Sequence, residues 1–465
     1  MPVADTIRIS PRNKLPQTDT VDRYLEVNRI IITGNKLTRN TIILRELSFK
    51  KGDVISERIL PKVIERDERK LFNLHLFNTA TITPLDLKNG LVDLLIEVDE
   101  RWYTFPVPIF QLSDRNFNEW WENYDHDFSR VNYGVKLYQY NMFGRNQTLT
   151  LTAQFGFQRR FQLMYRIPYI DDNQKAGLIF EMDFIEAKNV ADSTIDHILR
   201  YVKSEHVLRE TKGIGLSYTY RNNFYIHHKL KYEYRETSIA DTLQNLNPNY
   251  LGPEINRQQY DAVTYEFTSD HRDVQAYPLK GYQVFLHLQQ YGIALNKDFQ
   301  KTEGYFSFSG HLDLKKNFYL SNQSFMYLSS PNEIPYFNYG GLGYNRTFVR
   351  GYEVYVIEGP RFYLNKTTIK KRIFYRLWTV ENSIIPQFNH FPLAIYLKAY
   401  ADFGYVNSYS TYRESSVNTL LSDNVIGGAG IGLDFVSAYD AVIRFEYTYT
   451  PQNQGGFFFH LKKEF

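Results

Sequence analysis

The chain has 465 residues, a formal net charge of +3 and no cysteine. The lack of cysteine excludes disulfide bonds, thiolate metal sites and a cysteine nucleophile, and interspersed acids and bases argue against a nucleic-acid partner. Aromatic residues make up 16% of the chain but hydrophobic residues only 43%. No run of about 18 apolar residues occurs, which excludes a transmembrane helix.

Residues 1–21 are polar, contain Pro11 and Pro16, and are predicted to form an extended lead. The stretch from Met1 to Ser10 lacks the basic start and the apolar core of an export signal. We therefore expect no signal peptide in this sequence.

Residues 22–101 combine strand and helix patterns. Residues 24–32 form an apolar strand-like run, and two helical segments follow, the second with an apolar stripe that begins at Leu60. Residues 77–83 and 91–98 then alternate around a turn. The pattern predicts a small α+β domain that is long enough to fold alone.

Beyond Arg101 the helical period disappears, and apolar residues recur at every second position. In residues 147–157 the odd positions are apolar, and residues 441–449 show the same alternation. The apolar positions of these two runs are Leu149, Leu151, Ala153, Phe155, Phe157, Ile443, Phe445, Tyr447 and Tyr449. Each run therefore has one apolar, aromatic face and one polar face.

The number and spacing of these runs indicate the class of fold. Residues 102–465 hold about 16 runs of about 10 residues. The connections alternate in length: residues 141–145 and 221–225 form tight turns, whereas residues 188–207 and 237–256 form long polar loops. This arrangement is typical of outer-membrane proteins. We predict an all-β transmembrane barrel of antiparallel strands, with a soluble all-β domain as the alternative.

The last run, residues 456–465, carries Phe457, Phe459 and Leu461 on its apolar side and ends on Phe465. An alternating strand with a terminal aromatic residue resembles the signal that barrel-assembly machinery reads on its clients. Because any final strand of a barrel has this pattern, it supports the barrel and nothing finer. We expect the barrel to close by pairing this strand with the first one, near residues 130–140.

A more specific motif, Val349-Arg350-Gly351-Tyr352, follows a glycine-rich stretch inside the long segment 329–368. It resembles the V-R-G-F/Y motif that folds back into the barrel lumen in the superfamily of BamA, TamA and two-partner-secretion proteins. An arginine in a lumen needs a carboxylate partner, because an unpaired guanidinium away from bulk water is costly.

Two acidic residues are candidate partners of Arg350. In residues 395–405 the apolar positions are the odd ones, so Asp402 is predicted to face the lumen. Tyr400, Asp402 and Gly404 also resemble the family's aromatic-x-D-x-G strand motif, whose aspartate pairs with the loop arginine. Glu381 matches an acidic position in the preceding strand. For both acids, a solvated lumen charge without this partner is the alternative.

Other stretches extend the resemblance along the chain. Residues 141–146 resemble the family's first hairpin, residues 270–281 its D-x-R-D-x4-P-x-x-G element, and residues 428–435 its glycine-rich strand. Residues 22–101 resemble a single POTRA domain. BamA-like members carry several such domains and this chain has room for one, which is a departure from the pattern.

The resemblance implies a bacterial outer-membrane protein with its POTRA-like domain in the periplasm. It implies assistance to the insertion, assembly or translocation of outer-membrane or surface proteins, with the lipid bilayer and unfolded clients or accessory lipoproteins as partners. We expect no cofactor and no nucleic-acid partner, and we expect that the protein is not an enzyme. The alternatives are a diffusive solute porin, a barrel protease or phospholipase, and a scaffold for another protein.

Overall fold

The computed structural model describes residues 23–86, 90–112, 120–121, 124–171, 173–223, 225–344, 347–379, 390–437, 441–452 and 455–463. The chain divides into two compact units. The first extends to Tyr103 and includes Asn141–Asn146, and the second comprises Thr104–Tyr140 and Gln147–Phe465. The predicted lead, residues 1–21, lies outside the described residues.

The described residues of the first unit form a four-stranded sheet with two helices. Its elements are β1 (Tyr24–Thr33), α1 (Asn40–Leu44), β2 (Val54–Ser56), α2 (Leu60–Asn73), β3 (Phe77–Asp86) and β4 (Leu91–Glu100). The strand order is β2-β1-β4-β3, and β1 and β4 are parallel. The sequence pattern missed β2, because a strand of three residues is too short for alternation to show.

The second unit contains one sheet of sixteen strands among the described residues. These are β5 (Thr104–Leu112), β6 (Val131–Met142), β7 (Gln147–Gly156), β8 (Gln158–Ile167), β9 (Ala176–Ala187), β12 (Arg209–Arg221), β13 (Ile226–Ile239), β14 (Arg257–Asp270), β15 (Gly281–Tyr291), β16 (Lys301–Lys315), β17 (Phe318–Ser330), β20 (Arg361–Thr379), β21 (His390–Asn407), β22 (Val425–Ser437), β23 (Ala441–Tyr449) and β24 (Gly456–Lys463). Each neighbours the next in chain order. The predicted number of antiparallel strands is confirmed.

Shorter elements lie between the strands of this sheet. They are a 3-10 turn (Phe128–Arg130), β10 (Asn189–Ile195), β11 (Ile198–Lys203), α3 (Asp241–Leu246), a 3-10 turn (Tyr336–Asn338), β18 (Gly341–Leu342), β19 (Ile357–Glu358) and α4 (Ser410–Ser415). β10 pairs with β11 and β18 with β19. None of the described helices is long and apolar enough to cross a membrane.

The two faces of the sixteen-stranded sheet reverse the burial pattern of a water-soluble protein. In β21 the polar Lys398 and Asp402 are each 4% exposed, whereas the apolar Leu397 and Phe403 are 46% and 47% exposed. The buried face lines a lumen that folded-in segments fill, and the exposed apolar face suits contact with lipid. The alternation read from the sequence therefore assigns each side chain to lumen or lipid.

The first strand of the sheet is β5, which corrects a prediction. The sequence pattern placed the first strand near residues 130–140, which form β6, the second strand. Pro106 and Pro108 kept β5 from being predicted, because proline in a sequence argues against a strand unless the strand lies at a sheet edge. These two prolines are two residues apart, so their nitrogens face the same side of the strand. Since β5 keeps a continuous ladder with β6, that side is the outer edge.

The two ends of the barrel differ as the sequence predicted. One end, the turn end, carries short connections such as residues 143–146 and 222–225. The other end, the long-loop end, carries residues 188–208, 240–256 and 331–360. The barrel therefore has a compact end and an end where long segments can fold over or into the lumen.

Candidate functional site

The Arg350 segment, defined as residues 348–353, is the centre of the candidate site. It belongs to the long connection between β17 and β20, whose two arms are joined by the β18–β19 pair. Val349 and Tyr352 are each 1% exposed, and Arg350 is 8% exposed. The motif thus lies inside the lumen, where every charge needs a partner.

Arg350 and Asp402 form a two-pronged ion pair. The arginine Nε donates to Asp402 Oδ2 at 2.8 Å, and the terminal nitrogen Nη2 donates to Oδ1 at 2.5 Å. The Arg350 backbone N–H donates to the same carboxylate at 3.1 Å. Planar, bidentate pairing is the strongest geometry that an arginine and a carboxylate can adopt. The structure therefore brings together the two residues that the sequence matched.

Three further groups surround the Arg350 guanidinium. Glu446 on β23 lies 3.5 Å from Nη1, and the hydroxyl of Thr368 on β20 accepts a hydrogen bond at 3.1 Å. The ring of Tyr400 stacks under the guanidinium, 3.7 Å from its central carbon. Burial opposes the positive charge, but the hydrogen bonds that Arg350 donates to Asp402 and the nearby negative charges outweigh it, so the pKa of Arg350 is raised. Arg350 therefore stays charged.

Glycines on neighbouring strands make room for the segment. A side chain at Gly404 would meet a methyl of Val349 at 2.7 Å, and a side chain at Gly428 would meet the Arg350 carbonyl oxygen at 2.0 Å. Gly351 itself has φ +97°, and a side chain there would meet Thr450 at 2.4 Å. These contacts give a steric reason for Gly404, Gly351 and the glycine-rich strand β22.

The segment also contacts the last strand of the barrel. His460 on β24 stacks against Phe348, and its Nε2 lies 3.7 Å from Glu353 Oε1 and 3.3 Å from Glu446 Oε2. Glu353 is 1% exposed and accepts the Gly351 N–H at 2.7 Å. Burial raises the pKa of the Glu353 carboxyl. Together with Asp402 and Glu446, these contacts join the segment to β21, β23 and β24.

Tyr352, the last residue of the motif, points towards the β23–β24 connection. Its hydroxyl donates to the carbonyl of Gly427 on β22 at 3.4 Å and hydrogen-bonds the side chain of Gln452. The Arg350 segment therefore touches all of the last four strands of the sheet.

Some predicted residues have other positions. Glu381 and Phe465 lie outside the described residues. Phe457 is 60% exposed on the lipid side, and Phe459 packs 5.3 Å from Phe445. Leu461 lies in β24, where it pairs with Ile443, and its side chain is not described.

Sequence reasoning missed Glu446 and His460 as contacts of the segment. Both alternate onto the inner face of their strands, which is the signal that the sequence contains. No group of three or more His, Asp or Glu side chains within the described part of the chain could hold a metal ion. What the site offers is a set of buried, mutually neutralising charges with defined geometry.

Comparison with known families agrees with this geometry. Residues 141–465 match the model of the Omp85 superfamily domain. The chain belongs to the Omp85 superfamily. Residues 25–101 of this Omp85 protein match the POTRA model, which is described as a surface antigen variable number repeat. Superfamily membership and the barrel fold indicate an outer-membrane location.

Solved structures share the fold of this Omp85 protein. BamA from Haemophilus ducreyi lacking POTRA domains 1–3 has a TM-score of 0.60 at 15% identity, covering 94% of this chain and 83% of that chain. CdiB from Escherichia coli has a TM-score of 0.53 at 12% identity, covering 95% and 74%. CdiB from Acinetobacter baumannii has a TM-score of 0.52 at 13% identity, covering 94% and 73%. Identities this low show the fold alone.

A curated relative from Treponema pallidum (strain Nichols) is described as a candidate outer membrane protein assembly factor. It is 30% identical over 138 residues, and the match covers 23% of this chain and 16% of that protein. The match thus spans about a sixth of the relative's length.

Proposed function

We propose that this protein assists the insertion or translocation of proteins at an outer membrane. In this proposal the POTRA domain lies in the periplasm and captures unfolded clients. The Arg350 segment holds the barrel in its working shape and does no covalent chemistry. Superfamily membership supports the general role, and the observation that carries the brace is the contact of one lumen segment with all of the last four strands.

The energetics of burial favour a bracing role. Removing one partner of a buried ion pair typically costs about 3–5 kcal/mol, because the other charge remains unpaired. Here the Arg350 guanidinium meets both Asp402 and Glu446, and Glu446 also lies near His460. Displacing the segment would expose or orphan several of these charges together. The segment is therefore expected to leave the lumen rarely while the barrel is folded.

Client capture would use the edges of the POTRA sheet. Among the described residues β2 and β3 are the outer strands, so each has one neighbouring strand and one side without a strand partner there. An open strand edge offers backbone N–H and C=O groups that an extended peptide can pair with. β3, with ten residues, offers the longer template.

Release into the membrane would use the ends of the barrel sheet. β5 and β24 are its terminal strands, and we propose that they meet at a seam that opens sideways. Pro106 and Pro108 lack N–H groups on the outer edge of β5, which limits the hydrogen bonds available there. A short seam would open more readily than a full antiparallel ladder.

A diffusive porin is the competing function, and the contents of the lumen oppose it. A porin keeps an open aqueous channel, whereas here the Arg350 segment occupies the interior. We expect small, flickering conductance in planar bilayers. Large and steady single-channel currents would favour the porin instead.

The decisive experiment replaces Arg350 with alanine. We expect less folded barrel, less client assembly in cells, or both, because Asp402 and Glu446 would lose their shared counterion. Folded barrel is measured by heat-modifiable gel migration and assembly by the surface level of client barrels. Arg413→Ala, at an exposed arginine in α4, is the matched control. Wild-type behaviour of Arg350→Ala on both measurements would contradict the proposed brace.

A further inference from the structure

The turn between β14 and β15, residues 271–280, is built to hold one shape. Arg272 pairs with Asp270 at 2.7 Å, and Asp273 Oδ1 accepts the N–H groups of Val274 and Leu279 at 2.9 and 3.0 Å. Gly281 has φ +92°, and a side chain there would meet the His271 carbonyl oxygen at 2.1 Å. The D-x-R-D and glycine positions of this element therefore fix a compact turn.

This turn places Tyr277 inside the lumen from the turn end. Tyr277 is 5% exposed, and its ring lies 4.9 Å from that of Tyr396 on β21. Its hydroxyl donates to Asp434 Oδ2 on β22 at 2.8 Å, and Lys370 Nζ on β20 lies 4.2 Å from its ring centre. The turn thus reaches strands that are far from its own in the sheet order.

A chain of buried charges leads from Tyr277 to the Arg350 segment. Lys398 Nζ lies 2.5 Å from Asp434 Oδ1 and 2.7 Å from Glu446 Oε1. The same Glu446 oxygen lies 3.5 Å from Arg350 Nη1. Lys398, Asp434 and Glu446 are each between 1% and 4% exposed. The turn and the Arg350 segment enter the lumen from opposite ends, and this series of side-chain contacts connects them. We name the series Tyr277, Asp434, Lys398, Glu446 and Arg350 the Tyr277–Arg350 relay.

We propose that the Tyr277–Arg350 relay couples the turn to the Arg350 segment, so that release of either one loosens the other. The coupling itself needs no client, and only its use in client handling rests on the proposed function. Inside the lumen the low dielectric strengthens each contact and makes an unpaired group costly. Asp434 accepts a hydrogen bond from the Tyr277 hydroxyl and forms an ion pair with Lys398. Loss of that hydroxyl therefore changes how strongly Lys398 is bound between Asp434 and Glu446.

Coupling between two sites is reciprocal in free energy, which gives a sharp test. The chain contains no cysteine, so single cysteines can be placed at Val349 in the segment and at Ala276 in the turn. Both positions are buried, at 1% and 6% exposure. Their labelling rates with a maleimide then report how often each segment opens. The measurement uses the purified full chain in detergent or liposomes, without client.

Tyr277→Phe removes the hydroxyl and keeps the ring. We expect it to raise labelling at position 349 by about fivefold or more, the lower end of typical coupling between sites. In the reverse direction, Arg350→Lys is expected to raise labelling at position 276 by a similar factor. Tyr319→Phe is the matched control, because Tyr319 belongs to the same aromatic cluster but is not a member of the relay.

Faster labelling at position 276 alone after Tyr277→Phe would overturn the proposal, because the turn would then be fastened only locally. Unchanged labelling at both positions would overturn it as well. If Tyr277→Phe does not fold, Asp434→Asn takes its place, since it keeps an acceptor for Tyr277 and weakens the link to Lys398. Client assembly plays no part in this readout, so the coupling and the proposed function fail separately.

Discussion

At the residue scale, the burial of Arg350 depends on geometry as well as charge. Its planar guanidinium contacts both oxygens of Asp402, a hydroxyl of Thr368 and the ring of Tyr400. A lysine at the same position would offer a compact ammonium that cannot make the bidentate pair or the stacked contact. The site therefore requires the planar shape of the arginine guanidinium. Through its contacts with Asp402, Thr368 and Tyr400, this group links the position of the segment to the position of the strands.

Gly428 gives a residue-scale prediction that leaves every charge in place. Gly428→Ala would bring a side chain to 2.0 Å from the Arg350 carbonyl oxygen, so the segment or β22 must shift. We expect a loss of about 1–3 kcal/mol in folding stability, together with faster proteolysis of the long loop that carries the segment. Gly427→Ala is the matched control, because its side chain would meet its nearest neighbour at 3.5 Å. Equal stability of the two variants would contradict this steric explanation.

Parity along a strand was enough to predict that Asp402 faces the lumen, and the same rule applies to Glu446. The sequence alone did not select Glu446 as a contact of Arg350, because several acids alternate inward and the choice among them depends on where the loop lies along the barrel axis. That position is set by contacts between segments remote in sequence, such as Val349 with Gly404. The local sequence pattern therefore predicts which side chains face the lumen, whereas tertiary packing determines which of them form a contact.

At the element scale, the β10–β11 hairpin fastens the long-loop end. Its tip places His197, 1% exposed, between two other loops: His197 Nε2 accepts the Leu421 N–H at 3.1 Å, and its carbonyl accepts the Val356 N–H at 2.8 Å. Asn418 accepts the His197 N–H at 2.8 Å. Because Nε2 accepts a hydrogen bond, the imidazole must be neutral in this arrangement.

The long-loop end is therefore expected to loosen in acid. Burial lowers the pKa of His197 from 6.5 to about 4, although the neighbouring Asp196 favours the charged form. A lowered pKa means that the stabilisation is complete above about pH 6.5 and is lost as the pH falls towards about 4. At about pH 5 the loss is on the order of 2 kcal/mol. Hydrogen exchange of residues 417–421 measured against pH checks this.

His197→Gln is the control for the acid effect, because its amide oxygen can accept the Leu421 N–H and does not titrate. We expect exchange in this variant to lose the extra acceleration between about pH 6.5 and pH 4. The same acceleration in both proteins would exclude His197 as the cause.

The elements that the sequence missed are those whose signals are short or contradictory. β5 contains Pro106 and Pro108, which are unusual in strands, and its position at the sheet edge is what permits them. β18 and β19 have two residues each and exist only because the long loop folds back on itself. In contrast, the alternation predicts amphipathic strands such as β7 and β23, since it repeats there over many residues.

At the scale of the whole molecule, β5 and β24 are the terminal strands of the sheet in the described part of the chain, and the Arg350 segment contacts β24. β24 is held to the segment through His460 and Phe348. β5 carries two prolines on its outer edge. The proposed seam therefore joins a braced strand to one that can donate few hydrogen bonds, so that opening would be decided mainly by β5.

Restoring the missing donors tests this asymmetry. Pro106→Thr combined with Pro108→Thr would return two N–H groups to the outer edge of β5, each worth about 0.5–1.5 kcal/mol when hydrogen-bonded. We expect a higher unfolding temperature by heat-modifiable gel migration and slower client assembly, because a tighter seam opens less often. Pro451→Thr, in the connection before β24, is the matched control for the loss of a proline. A double variant that melts and assembles clients like the wild type would show that the prolines do not limit the seam. A stabilised barrel with an unchanged rate of client assembly would show that clients do not pass through the seam.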